Sequence, residues 1–204
     1  MKTKTLWSVA AGVGLLLGTQ AALAAAPDTT EGQTKFYTCV GCHGIKGYSN
    51  AFPTYAVPKL GGQHADYVVA ALKAYQSGGR KHGSMEGNSS GWSEDDFKAI
   101  AAYVAKFRSI NEENPITGNP AAGKSKAETC GACHGEDGNS ADASNPRLAG
   151  QYESYLIKAL EDYKSGVRKN AIMNGMAAGL SAEDIKDISA YYASQKKGLT
   201  VVQD

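Results

Sequence analysis

Cys39-Val40-Gly41-Cys42-His43 and Cys130-Gly131-Ala132-Cys133-His134 decide how this chain reads. Together they hold all four cysteines and two of the four histidines, and C-x-x-C-H is the attachment signature of a c-type haem. Two thiols at this spacing add across the two vinyl groups on one porphyrin edge, and the next residue swings its imidazole beneath the iron. Cys39 and Cys42 are therefore expected as thioether anchors with His43 as the proximal iron ligand, and Cys130, Cys133 and His134 as their equivalents for a second haem. A four-thiolate zinc site is disfavoured because the pairs lie 91 positions apart, well beyond the spacing of compact zinc modules. A thioredoxin-like couple would need alternating strands and helices, which the chain lacks.

The first residues read as an export signal. Lys2 and Lys4 precede an apolar run from Leu6 to Leu17, and Ala22-Leu23-Ala24 has the small-x-small form of a cleavage site. Cleavage is expected after Ala24, with Ala26 the alternative, which makes residues 1–24 a signal peptide and the periplasm the destination. The apolar run is shorter than the ~20 residues of a spanning helix. Export agrees with the motifs, since covalent haem attachment in bacteria takes place outside the cytoplasm.

Charge narrows the functions further. The chain has 21 basic and 20 acidic residues, a formal net charge of +1. Removing the signal costs two lysines and no acid and leaves a net −1, before haem propionates add more negative charge. A nucleic-acid partner, which wants a basic surface, is not expected.

Beyond the signal, the chain is written twice. Gly32 pairs with Gly123 and Cys39 with Cys130 at an offset of 91, while Pro58-Lys59-Leu60-Gly61-Gly62-Gln63 pairs with Pro146-Arg147-Leu148-Ala149-Gly150-Gln151 at 88. The first copy therefore carries three extra residues in the loop between. Such self-similarity means two copies of one fold: an N-terminal domain over 27–108, a breaker-rich linker over 109–120 and a C-terminal domain over 121–200. In each copy a first helix runs into the haem motif. A middle helix carries Tyr67, Val68, Ala71, Leu72 and Tyr75, or Tyr155, Leu156, Ala159, Leu160 and Tyr163, and stops at Ser77-Gly78 or Ser165-Gly166. A last helix opens with a capping-box pattern, Ser93 to Asp96 or Ser181 to Asp184. Its apolar face carries Phe97, Ile100, Ala101 and Val104, or Ile185 and Ile188 with Tyr191 or Tyr192. No segment reads as a strand, so the class is all-α.

Two tandem C-x-x-C-H domains, each with P-x-L-x-G-Q and a later Met-x-Gly, resemble the dihaem cytochrome c4 family, built from two class I cytochrome c domains. The resemblance spans the mature chain. It implies that the carbonyls of Pro58 and Pro146 accept hydrogen bonds from the proximal imidazoles. It also implies that Gly32 and Gly123 let the first helix cross the last one closely, against Tyr103 and Tyr191, and that the two haem edges meet near the domain interface.

The sixth ligand separates a carrier from a catalyst. Met85-Glu86-Gly87 aligns with Met173-Asn174-Gly175, each methionine eight residues before the serine that caps the last helix. Met176 aligns with Asn88 and reads as a core gap-filler. His82 competes with Met85 in the first domain, but its counterpart is Asn170, and that of His64 is Tyr152. His/Met ligation is therefore expected at both irons, through His43 with Met85 and His134 with Met173, which favours high potentials and closed iron. The expected protein is an electron carrier, not an enzyme, moving single electrons from a membrane quinol-oxidising complex or periplasmic dehydrogenase to a terminal oxidase or reductase. The alternatives are a dihaem subunit of an oxidoreductase complex, such as a flavin-containing sulfide dehydrogenase, and a dihaem enzyme, a thiosulfate dehydrogenase or peroxidase.

Overall fold

Helix signals written twice in the sequence become helices twice in space. The computed structural model describes residues 29–107 and 113–203; the expected signal peptide, the last residue of the expected N-terminal domain and residues 109–112 of the expected linker lie outside them. Nine helices occur among the described residues: α1 (Thr29–His43), α2 (Ala65–Gln76), α3 (Gly83–Ser90), α4 (Glu94–Ala105), α5 (Pro120–Lys126), α6 (Glu128–His134), α7 (Glu153–Ser165), α8 (Ala171–Ala178) and α9 (Ala182–Ala193). Helices α1 to α4 form the first repeat and α5 to α9 the second, with α1 matched by α5 and α6 together. Only two isolated β-bridges accompany them, Ser49 with Ala56 and Gly61 with Thr200. The all-α class stands.

Start and stop signals act as expected. Ser93 and Ser181 each accept from the backbone N–H three residues on, and Asp96 and Asp184 return the bond, so both capping boxes form. Helix α7 ends at Gly166, which takes the left-handed conformation at φ 77°. Phe97, Ile100, Ala101 and Val104 on α4 are buried, and so are Ile185, Ile188 and both Tyr191 and Tyr192 on α9.

The first and last helices of each repeat cross where glycine allows it. A Cβ on Gly32 would stand 2.1 Å from the Ala99 carbonyl oxygen and 2.8 Å from the Tyr103 Cβ. On Gly123 it would stand 1.9 Å from the Asp187 carbonyl oxygen and 2.9 Å from the Tyr191 Cβ. The tyrosines are thus the crossing partners, but the backbone behind them sets the limit.

Helix α3 has no apolar periodicity and α8 is only eight residues long, and the sequence reading placed neither. The stretch Gly83-Ser84-Met85-Glu86-Gly87-Asn88-Ser89-Ser90 is a poor helix former by propensity. Its order comes from caps: His82 Nδ1 accepts from the Met85 N–H at 3.3 Å, and Asn170 Oδ1 from the Met173 N–H at 3.0 Å.

The two repeats lock together through the segments that recur. Gln63 Oε1 accepts from the Arg147 N–H at 2.9 Å, and its Nε2 donates to the Arg147 carbonyl at 3.0 Å. Gln151 makes the same pair with Lys59, at 2.9 and 3.0 Å. The junction therefore has a pseudo-twofold axis. The longer loop of the first repeat joins it too: Gly47 N–H donates to Tyr152 Oη at 2.9 Å and Ala56 N–H to Ser154 Oγ at 3.0 Å. Residues 113–119 carry no helix but are bonded to the second repeat, through Asn114 to the carbonyls of Gly150 and Ala193 and through Thr117 and Gly118 to the buried Glu153 carboxylate.

Candidate haem sites

Each site is built at the end of a helix against a loop. His43 closes α1 and His134 closes α6, and both imidazoles are buried, 9% and 6% exposed. His43 Nδ1 lies 2.9 Å from the Pro58 carbonyl oxygen, and His134 Nδ1 lies 2.9 Å from that of Pro146. A carbonyl only accepts, so Nδ1 carries the proton in each and Nε2 keeps its lone pair. Burial pushes both imidazoles below their usual pKa, against the pull of the carbonyls, and so favours this neutral form. The extra loop residues of the first domain leave the bond length the same in both.

The two cysteines of each motif differ in exposure, the first half-buried and the second exposed. Burial pushes the Cys39 and Cys130 thiols up, opposite to the lowered thiol of a disulfide-exchange couple. Among the described residues no three His, Cys, Asp or Glu side chains are grouped to hold a metal ion. The donor set of each domain, two thiols and a neutral imidazole with a free Nε2, fits a covalently attached haem.

Met85 and Met173 occupy the third position of α3 and α8, their backbone N–H bound to the cap residue. Both are half-buried, and the residue one turn on, Ser89 or Ala177, is buried at 1% and 0% exposure. They therefore lie on the inward stripes of their helices. Met176 corrects the expectation of a core gap-filler: it is 38% exposed, four residues beyond Ile172 at 72%, on the outward stripe of α8.

The competing histidines have other work. Because His82 Nδ1 accepts the cap bond, its Nε2 carries the proton and donates to Asn50 Oδ1 at 3.1 Å. Its replacement by Asn170 in the second repeat keeps the cap, which explains why the imidazole is not repeated. His64 Nε2 donates across the junction to the Ser140 carbonyl at 2.8 Å.

Pattern reading missed a group at the junction. Arg80 and Arg168, 88 positions apart like their flanking helices, are buried at 9% and 8% exposure. Both donate through Nη2 to the hydroxyl of one residue, Tyr67, at 2.8 and 2.9 Å. The signal available was Ser-Gly-x-Arg, present in both copies directly after the middle helix.

Two repeats, each binding the imidazole of a C-x-x-C-H helix end to a proline carbonyl and each carrying a capped methionine helix further on, define a tandem-domain c-type cytochrome. The family model described as Cytochrome c matches residues 29–107 and 120–196. The cytochrome c4 of Stutzerimonas stutzeri is 34% identical over 199 residues, covering 87% of this chain and 93% of that one. The match to the cytochrome c4 of Pseudomonas aeruginosa, 53% identical over 79 residues, spans 39% of this chain and only 39% of that relative's length. A thiosulfate dehydrogenase electron acceptor of Stutzerimonas stutzeri (strain A1501) is 29% identical over 212 residues, covering 92% of this chain and 94% of that one. Among solved structures, Acidithiobacillus ferrooxidans cytochrome c4 superposes with a TM-score of 0.69 at 30% identity, covering 78% of this chain and 99% of that one. The chain belongs to the cytochrome c family and, within it, to the dihaem cytochromes c4. It carries two covalently bound c-type haems, through Cys39 with Cys42 and Cys130 with Cys133.

Proposed function

We propose that the protein is a periplasmic electron carrier in which His43 with Met85 and His134 with Met173 hold the two irons, and neither iron opens to substrate. The single observation that carries this reading is the matched methionine pair, each at the third position of a capped short helix and on its inward stripe. The covalently bound haems supply one-electron iron chemistry. The chain holds each imidazole neutral with its Nε2 free and keeps each methionine on a helix pinned at its first turn. A ligand set held in place from both sides changes little between oxidation states, which suits a carrier. The donor is a membrane quinol-oxidising complex or a periplasmic dehydrogenase, and the acceptor a terminal oxidase or reductase.

The near full-length similarity to a thiosulfate dehydrogenase electron acceptor favours one form of this reading, in which the donor is a thiosulfate dehydrogenase. Both forms are tested together. Oxidised holoprotein should show the weak red absorption band near ~700 nm that accompanies methionine sulfur ligation, and Met85→Leu and Met173→Leu should each remove about half of it. Reduced protein should pass electrons to membranes containing a terminal oxidase, and oxidised protein should accept them from a thiosulfate dehydrogenase supplied with thiosulfate. Turnover of thiosulfate, sulfide or peroxide by the protein alone at roughly 1 s⁻¹ or faster would make it an enzyme.

A further inference from the structure

The two proline loops that hold the proximal imidazoles are supported differently. In the second repeat the loop closes on its own haem motif. The Gly138 carbonyl, four residues beyond His134, accepts from the Leu148 N–H at 2.7 Å and the Ala149 N–H at 3.1 Å, just past Pro146. In the first repeat the counterpart of Gly138 is Gly47, whose carbonyl accepts from Ser49 Oγ at 3.3 Å and whose N–H donates to Tyr152 Oη at 2.9 Å. Gly61, the counterpart of Ala149, turns instead to Thr200: each donates its N–H to the other's carbonyl at 2.9 Å. The neighbouring Leu199 N–H donates to the Ala149 carbonyl at 2.8 Å, so this segment touches the equivalent residue of both loops. It goes deeper into the first domain. Val202 packs in the core cluster against which Cys39 and Val40 of the haem motif also pack, and a Cβ on Gly44, the residue after His43, would stand 3.3 Å from the Val202 carbonyl oxygen.

We infer that Thr200 and Val202, anchored through Leu199 to the second repeat, position the proximal ligand of the first haem, supplying to the Pro58 loop the support that the Pro146 loop takes from its own repeat. The bond from His43 Nδ1 to the Pro58 carbonyl fixes the ring and makes the imidazole a stronger donor to iron. That carbonyl is only as fixed as its loop. Three residues on, Gly61 commits both of its backbone polar groups to Thr200, so displacing the segment frees the loop. Ala149 keeps its N–H on Gly138 whatever the segment does. The second proximal site is therefore independent of it. The inference rests on the proposed ligation by His43 and His134.

The test follows the ring Nδ1–H of each proximal histidine in the oxidised holoprotein by NMR, where the paramagnetic iron shifts these resonances clear of the rest, together with the midpoint potential of each haem. Thr200→Pro removes the donor to the Gly61 carbonyl. Exchange of the His43 ring proton should become about fivefold faster or more, the effect of one lost hydrogen bond, while that of His134 is unchanged. The first haem's potential should rise, because a poorer donor favours ferrous iron, and the second should stay. Thr200→Ala, which keeps the backbone bonds, should leave both exchange rates and both potentials at their wild-type values. Equal changes at both haems, or none at either, would overturn the assignment. A fall in the first potential would mean that the segment only keeps water from the haem, and would overturn it too. Should Thr200→Pro fail to fold, Val202→Ala decides: faster exchange at His43 alone supports the segment's role, and any other pattern overturns it. The carrier reading is judged separately, by the ~700 nm band and by electron delivery, neither of which Thr200→Pro should remove. A wild-type protein lacking either shifted ring proton would overturn the proximal ligation and the inference together.

Discussion

At the scale of single residues, the unmatched His82 is more informative than the matched histidines. Its imidazole spends Nδ1 on the Met85 N–H and Nε2 on Asn50, so it orders the helix that carries Met85. His82→Ala should cost about 1 kcal/mol of stability, the usual value of a lost N-cap, and weaken the ~700 nm band at the first haem only. His82→Asn, which copies Asn170, should preserve both. Thermal unfolding and the oxidised spectrum check the pair of variants, and collapse of the first haem's spectrum in His82→Asn would transfer the ligand role from Met85 to His82.

At the scale of elements, the repeats are held by helix crossings braced with ion pairs at matching places. Lys35 of α1 reaches Asp96 of α4 at 2.5 Å, and Lys126 of α5 reaches Asp184 and Asp187 of α9 at 3.0 and 2.8 Å. The lysine and the capping-box serine hold each first-turn carboxyl, Asp96 and Asp184, at about 2. A depressed carboxyl stabilises the fold above its unfolded value of about 3.9 and loses that contribution as pH falls through its folded value. Stability should therefore decline between about pH 4 and pH 2. Asp96→Asn and Asp184→Asn should flatten that acid limb while lowering stability at neutral pH, as read by denaturation midpoints across pH. Added salt should reduce the difference, because these pairs are partly exposed.

At the scale of the whole molecule, the chain's last described residues belong energetically to its first domain. Gly61 and Thr200 exchange backbone hydrogen bonds, both 2.9 Å, and Val202, 1% exposed, packs with Phe36, Val68, Ile100, Tyr103 and Val104. With the reciprocal bonds of Gln63 and Gln151, this strap sets one domain against the other. Val202→Ala removes two buried carbons and should cost about 2 kcal/mol. The loss should appear as earlier unfolding of the first domain, followed through its haem spectrum, although the residue follows the second repeat in sequence.

The sequence by itself determined the covalent chemistry, the duplication, the stops of the middle helices and the starts of the last ones, because these depend on neighbours a few residues apart: two thiols and an imidazole within five positions, a serine and an aspartate three apart, an apolar stripe at helical spacing. The single first helix expected in the second copy is instead two, α5 and α6. Met85 and Met173, proposed as the distal ligands, were singled out because one repeat aligned the other, and the structure sets both at the third position of a capped helix. Helices α3 and α8 were not legible, because both are single short pieces of eight residues whose first turns are fixed by side-chain caps, and α3 is in addition a stretch of poor propensity. Met176 was misread because its burial depends on which stripe of α8 faces inward, and a methionine is at home on either. Only the tertiary structure brought Arg80 and Arg168 to the hydroxyl of Tyr67 and Val202 into the first domain's core. Residues 101 and 98 positions apart meet there because the pseudo-twofold packing of the repeats brings them together, and no local pattern encodes that contact.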